Sequence, residues 1–199
     1  MTIVTNKHEI TRADIWPMAR YQSERKALRQ ALVVKKKARR FEVGPVCTFY
    51  FENYETMWAQ IHEMLFIEKG GEAQIADELC AYNPLVPQGD ELVATVMFEI
   101  DEPDRRAALL GKLGGVEETA FFDLDGEKIP GRPEEDTDRT NAAGKASAVQ
   151  FIHFRFSAAQ IASFKDPSCR VVLGFDHPHY FHLAVLPAAV RALLAEDFD

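Results

Sequence analysis

The stretch "ELVATVMFEI" (residues 91–100) decides the fold class that this sequence predicts. Every second residue in it is apolar, so one side of an extended chain carries Leu92, Ala94, Val96, Phe98 and Ile100. Alternation with a period of two is typical of a β-strand that turns one face to a hydrophobic core. Four further apolar stretches also predict strands: "FEVGPVCTFYFEN" (41–53), "VEETAFFDL" (116–124), "ASAVQFIHFRFS" (146–157) and "CRVVLGFD" (169–176).

Helical periodicity fills most of the chain between these strands. The pattern predicts helices at about residues 18–38, 53–71, 72–82, 102–115, 158–165 and 186–198. Since strands and helices do not alternate regularly, we expect a single α+β domain over residues 1–199, with a mostly antiparallel sheet of about four to five strands and helices packed against it. Residues 125–144 are polar and contain glycine and proline, which predicts a mobile surface loop.

Composition and charge narrow the function classes. The net charge is −8, but residues 1–40 hold eleven Lys/Arg against three Asp/Glu, and the remainder holds twelve against twenty-eight. An acidic body with a basic arm is not typical of a nucleic-acid binder, although the arm alone could bind nucleic acid. The charged N-terminus and the three scattered cysteines predict a cytoplasmic protein with reduced thiols and no membrane segment. Glycine-rich nucleotide motifs and the G-x-S-x-G hydrolase motif are absent, and "HEMLF" lacks the second histidine of a zinc-protease helix.

Charged side chains on apolar helix stripes form the first candidate site. Arg25 lies on the stripe of the first long helix, and Glu63, Glu68 and Glu78 lie on the two helices that follow. Two interpretations remain open. Arg25 and Arg29 could form a buried ion-pair network with the glutamates. Alternatively, the carboxylates and a nearby imidazole could bind iron or manganese.

Histidines supply the second candidate site. The stretch "FDHPHYFHL" (175–183) contains three of the six histidines. If the chain is extended there, His177 and His179 point to the same side, which is an arrangement that chelates metals. The alternative is a turn in which the histidines have only a structural role. His62 lies on a different side of its helix from Glu68, so we expect it at the surface or in an interface.

Several stretches together resemble the bacterial domain-of-unknown-function family 3501. They are "DIWPMARYQSERKALR" (14–29), "ARRFEVGPVCTFYFENYETMWAQIHEMLFIE" (38–68), "DELCAYNPLVPQGDELVATVMFEI" (77–100), "KASAVQFIHFRF" (145–156) and "LGFDHPHY" (173–180). The resemblance implies no established activity. It does imply an association with rubrerythrin-like and iron–sulfur oxidoreductase proteins, and hence with redox physiology. The family pattern includes His177 and Tyr180 but does not require His62, His179 or His182.

These observations lead to two hypotheses. In the first, the protein is a metal- or small-ligand-binding accessory protein in redox or iron-related (peroxide stress) metabolism. Its pocket would comprise Arg25, Gln60, Glu63, Glu68, Glu78, His177 and Tyr180. In the metal version Glu68, Glu78 and His177 would bind Fe, Mn or Zn, and Gln60 or Arg25 would orient them.

In the second hypothesis, the protein is an interaction module. The basic helix that ends in "KKKARR" (35–40) would dock on an acidic partner or on a second copy in a homodimer. No spacing in the sequence pairs a nucleophile with a base, so the sequence does not decide whether the protein is an enzyme.

Overall fold

The computed structural model describes residues 8–134 and 139–199. The helices in these ranges are α1 (Met18–Ala38), α2 (Tyr54–Glu68), α3 (Glu72–Tyr82), α4 (Pro103–Leu110), α5 (Ala158–Lys165) and α6 (Ala188–Leu194), with four short 3-10 turns besides. The strands are β1 (Arg40–Val43), β2 (Cys47–Glu52), β3 (Glu91–Phe98), β4 (Ala120–Leu124), β5 (Glu127–Pro133), β6 (Val149–Arg155), β7 (Val171–His177) and β8 (Tyr180–Val185). None of the described helices has the length and apolar character needed to cross a bilayer.

The described strands form one eight-stranded antiparallel sheet in the order β1-β2-β3-β6-β5-β4-β7-β8. The sheet curls until its two end strands, β1 and β8, lie side by side. The Tyr180 hydroxyl on β8 donates a hydrogen bond to the Val43 carbonyl on β1 at 2.9 Å. The sheet is therefore nearly barrel-shaped. The predicted α+β class with an antiparallel sheet is confirmed.

The predicted number of four to five strands is wrong, for three local reasons. The stretch at residues 41–53 is two strands, because Val43 pairs with Cys47 across a tight turn at Gly44. Strand β5 lies inside the predicted surface loop, and of its residues only Ile129 and Gly131 are buried. Strand β8 begins inside the histidine stretch, at Tyr180, and continues to Val185. The remainder of the predicted loop includes residues 135–138, which lie outside the described residues.

Strand β3 confirms the alternation that predicted it. Leu92, Ala94 and Val96 are 0% exposed and face the inside of the curled sheet. The opposite face is also covered: Val93 is 0% exposed and belongs to a second apolar cluster with Met57 and Ile61 of α2. Because helices cover the outer face here, β3 is buried on both sides.

Helix α1 packs antiparallel to α2 and is exposed along most of its length. Its first turns contact the second half of α2 through Tyr21 and Glu63, and its last turn contacts the start of α2 through Lys35 and Glu55. Tyr21 is the buried residue of its 21 residues. The fold thus uses one narrow stripe of α1 and leaves the rest at the surface.

Candidate functional site

The charged residues of the α1–α2 contact form a closed ion-pair cluster. Arg25 donates two hydrogen bonds to Glu63, from Nε to Oε1 at 2.8 Å and from Nη2 to Oε2 at 2.7 Å. The Tyr21 hydroxyl donates a third to Oε1 of the same carboxylate at 2.6 Å. The hydrogen bond from Arg25 lowers the pKa of Glu63, against burial, and Tyr21 adds to the effect. Both carboxylate oxygens are engaged, so these contacts favour the ion-pair interpretation of Arg25 and Glu63.

The other two candidate glutamates meet at the junction of α2 and α3. The Gln74 amide donates to Glu68 at 2.6 Å and to Glu78 at 2.7 Å. Glu68 is exposed, whereas Glu78 is 9% exposed. Gln60 donates to the hydroxyl of Tyr82 at 3.4 Å and not to either glutamate. One amide therefore bridges the two carboxylates.

The remaining candidates, His177 and Tyr180, lie at the β7–β8 turn. The Nδ1 atom of His177 accepts from the His179 amide at 3.2 Å, which leaves Nε2 as the donor to the Gly114 carbonyl at 3.3 Å. Both ring nitrogens are thus engaged with backbone groups around the turn. Tyr180 donates to Val43, as described above.

The predicted pocket therefore separates into three parts, and Gln60 lies outside all of them because it bonds Tyr82. Arg25 and Glu63 pair with each other, Glu68 and Glu78 share an amide, and His177 and Tyr180 bond backbone groups of the sheet and its turns. Within residues 8–134 and 139–199, no group of three or more His, Cys, Asp or Glu side chains is arranged to hold a metal ion. The metal set predicted from Glu68, Glu78 and His177 is not assembled, because the ring of His177 is used elsewhere.

His62 is the clearest correction among the histidines, since its side chain is 0% exposed and not at the surface. Its Nε2 atom accepts from the Trp16 amide at 3.0 Å, and Nδ1 donates to the Trp58 carbonyl at 2.7 Å. Burial lowers the pKa of His62, although the bond to Trp58 opposes this. A neutral imidazole thus ties the segment before α1 to α2, and the orientation of α1 is fixed at its N-terminal end.

A polar cluster of His153 with two glutamates was not predicted from the sequence. His153 on β6 contacts Glu91 at 3.1 Å through Nδ1 and Glu134 at 2.6 Å through Nε2. Burial would lower the pKa of His153, but the hydrogen bonds to the two carboxylates outweigh it and raise the pKa. The signal in the sequence is weak, because His153 and Glu91 meet only through the pairing of β3 with β6.

The exposed side of α1 carries an uncompensated charge. The helix contains seven Lys/Arg and one glutamate. Four of these cations lie within 4.0 Å of a carboxylate: Arg20, Arg25, Arg29 and Lys35. We define its basic outer face by Lys26, Gln30, Val33 and Lys37, which lie on one side of the helix and are all exposed. The described residues place no carboxylate within 4.0 Å of Lys26 or Lys37.

The structure divides the basic run "KKKARR" between two roles. Lys35 forms an ion pair with Glu55 of α2. Arg39 is buried and forms an ion pair with Asp197 near the C-terminus. Lys37 and Arg40 are exposed. Of the predicted docking run, these two basic side chains are exposed and form none of these ion pairs.

Comparison with known proteins gives a family and a fold but no activity. A crystal structure of a protein of unknown function from Burkholderia pseudomallei K96243 is 36% identical, with a TM-score of 0.87, and the alignment covers 96% of this chain and 99% of that one. No curated protein matches the chain. The sequence profile of the family described as "Protein of unknown function (DUF3501)" matches residues 9–198. The chain therefore belongs to the DUF3501 family.

Proposed function

We propose that this protein is an interaction protein that docks through the basic outer face of α1 onto an acidic surface of a partner protein. The observation that carries the proposal is a 21-residue helix with a single buried residue, Tyr21, on a protein of net charge −8. Two of its exposed lysines, Lys26 and Lys37, form no ion pair with any described carboxylate. A helix that buries so little of itself is stabilised mainly by its anchors at either end. Its exposed side is therefore available for binding.

The exposed face combines charge with apolar surface. Val33 is 67% exposed and Val34 is 70% exposed, and Lys26 and Lys37 flank the same stretch. The solvated face of a surface helix is mostly polar, and here two adjacent valines interrupt it. Apolar side chains rimmed by cations are instead the arrangement found in protein interfaces, where the charges speed association and select the partner.

The anchors of α1 support the same function. His62 and Glu63 fix its N-terminal half, and Glu55 pairs with its last turn. The helix is thus held in one orientation before any partner arrives. A surface that is already ordered loses little conformational entropy on binding.

The partner we propose is an acidic redox protein in the cytoplasm, and this protein would act as its accessory. The family resemblance suggests rubrerythrin-like and iron–sulfur oxidoreductase proteins as the first candidates. Encounters between redox proteins use small, charge-complementary interfaces that one helix face can supply. In this scheme the metal belongs to the partner.

The test measures binding of a purified rubrerythrin-like protein, and separately of an iron–sulfur oxidoreductase, by biolayer interferometry. The variant K26E/K37E reverses two exposed charges, and K112E/R170E makes the same change in net charge elsewhere. We expect K26E/K37E to weaken binding about tenfold, because each exposed ion pair contributes up to about 1 kcal/mol and two are lost. Binding should also weaken between about 50 mM and 300 mM salt.

Three outcomes would contradict the proposal. One is binding that K112E/R170E weakens as much as K26E/K37E does. The second is binding that is indifferent to salt. The third is no association with either redox protein, which would overturn the proposed partner class.

A further inference from the structure

A cleft opens where the β1–β2 turn, helix α4 and the β7–β8 turn meet, and we call it the hairpin cleft. Its volume is about 280 Å³. Three of its polar side chains are Arg105, His179 and His182, and its apolar wall includes Val46, Ile100 and Leu109. The hairpin cleft is separate from the basic outer face of α1.

The wall of the hairpin cleft is held rigidly. Gly44 has a φ of +72°, and a Cβ atom there would lie 2.7 Å from both the His182 ring and the Tyr180 hydroxyl. The rings of Tyr180 and His182 pack edge to face with centroids 4.5 Å apart. The Tyr180 hydroxyl is bonded to Val43 and accepts from the Val46 amide at 3.4 Å. His182 is thus placed by packing rather than by a polar partner.

The polar side chains of the cleft have free bonding capacity. In the described ranges, the side chains of Arg105, His179 and His182 form neither an ion pair nor a hydrogen bond. The nearby carboxylate of Glu102 accepts from the amides of Asp104 and Arg105 and caps α4, and it is not part of the lining. The unused groups are therefore a permanent cation and two imidazole rings, each of which can donate through an N–H group.

From this lining we propose that the hairpin cleft binds a small monocarboxylate with a short apolar chain. A guanidinium presents two parallel N–H groups that match a carboxylate, and imidazole N–H groups can add to them. The walls of Val46, Ile100 and Leu109 suit an alkyl chain. The volume of about 280 Å³ is close to the lower end, about 300 Å³, of the range found for small-molecule sites, which suits a small ligand.

The test uses hexanoate as the probe on the full chain. The carbon-bound ring protons of His179 and His182 are followed by NMR during the titration, in wild type, in Arg105→Ala and in the control Arg170→Ala. Arg170 precedes β7, whereas the cleft lies beyond the other end of that strand. Acetate supplies the charge without the chain, and 1-hexanol supplies the chain without the charge.

We expect hexanoate to shift both histidines with a Kd near 1 mM, an ordinary affinity for a ligand of about eight non-hydrogen atoms. Arg105→Ala should weaken binding about tenfold, and Arg170→Ala should leave it unchanged. Acetate and 1-hexanol should each bind at least about tenfold more weakly. No shift with hexanoate up to about 10 mM would overturn the inference. Equal binding of acetate, or equal binding to Arg105→Ala, would overturn it as well.

Discussion

Arg39 offers the sharpest test of how α1 is joined to the sheet. It follows the last residue of α1, and its side chain is 5% exposed. Its Nε atom donates to the Phe51 carbonyl at 3.0 Å, and Nη2 donates to the Glu52 carbonyl at 3.2 Å. The same guanidinium forms an ion pair with Asp197, whose side chain is 8% exposed.

The perturbation is Arg39→Met, which keeps the bulk of the side chain and removes the charge. It leaves Asp197 buried without its cation and two carbonyls without their donor. Loss of one partner of a buried ion pair costs about 3–5 kcal/mol. Since each kcal/mol lowers the Tm of a chain of this size by about 2–4 °C, we expect a fall of roughly 10 °C.

The loss should also depend on pH. Burial raises the pKa of Asp197, and Arg39 opposes this rise. Without Arg39 the folded pKa rises further above the unfolded value. A carboxyl whose folded pKa is raised loses stability as pH rises through that interval, so the deficit of Arg39→Met should be smaller near pH 5 than near pH 8.

Urea unfolding monitored by circular dichroism measures the effect at both pH values. Arg40→Met is the matched control, because Arg40 is the next residue and is exposed. The double variant Arg39→Met/Asp197→Leu should recover most of the lost stability, since it removes both charges together. A loss below about 1 kcal/mol for Arg39→Met, or a loss equal to that of Arg40→Met, would refute the reasoning.

Three further perturbations address other contacts. The raised pKa of His153 means that its bonds to two glutamates stabilise the fold below about pH 6.5 and cease to do so as pH rises through the folded pKa. His153→Gln should remove this part of the pH dependence in thermal unfolding from about pH 5 to 9, and an unchanged profile would contradict the assignment. Gly44→Ala should lower the free energy of unfolding in urea by about 1–3 kcal/mol, because its Cβ atom would meet the His182 ring. A variant as stable as the wild type would show that this close approach is wrong. Cys80 is exposed and should react with a thiol reagent within minutes. Burial raises the pKa of the Cys47 thiol and should protect it from the reagent until the protein unfolds. Rapid labelling of Cys47 in the folded protein would refute this.

The sequence was sufficient to predict the helices and strands whose apolar residues recur with a regular period. Helix α2 buries one apolar stripe, strand β3 turns its alternating apolar residues to the inside of the sheet, and both elements lie where the pattern predicted. Strand β5 was missed because most of its side chains point to solvent, so its apolar residues are too few to show the alternation. Strand β8 was missed because its alternation is reversed: Phe181, Leu183 and Val185 are exposed, and its less apolar positions face inward.

Only the part of the candidate site that lies between two neighbouring helices was predicted from the sequence. The pairing of Arg25 with Glu63 follows from their positions on facing stripes of α1 and α2, and it was one of the two interpretations left open. The placement of His177 depends on the curl of the whole sheet, which no local pattern encodes. The surface position predicted for His62 rested on its place on the helix relative to Glu68. The ring is buried by Trp16, which comes from a separate segment, and by Trp58 of its own helix.

The central claim is that α1 is the docking surface, and NMR mapping of the complex tests it most directly. A ¹⁵N-labelled chain is titrated with an unlabelled rubrerythrin-like protein, and the perturbed amides are placed on the structure. We predict that the largest changes fall on the basic outer face of α1, between Lys26 and Lys37, and vanish in K26E/K37E. Changes that instead centre on strand β8 or the hairpin cleft, with the α1 amides unmoved, would contradict the claim.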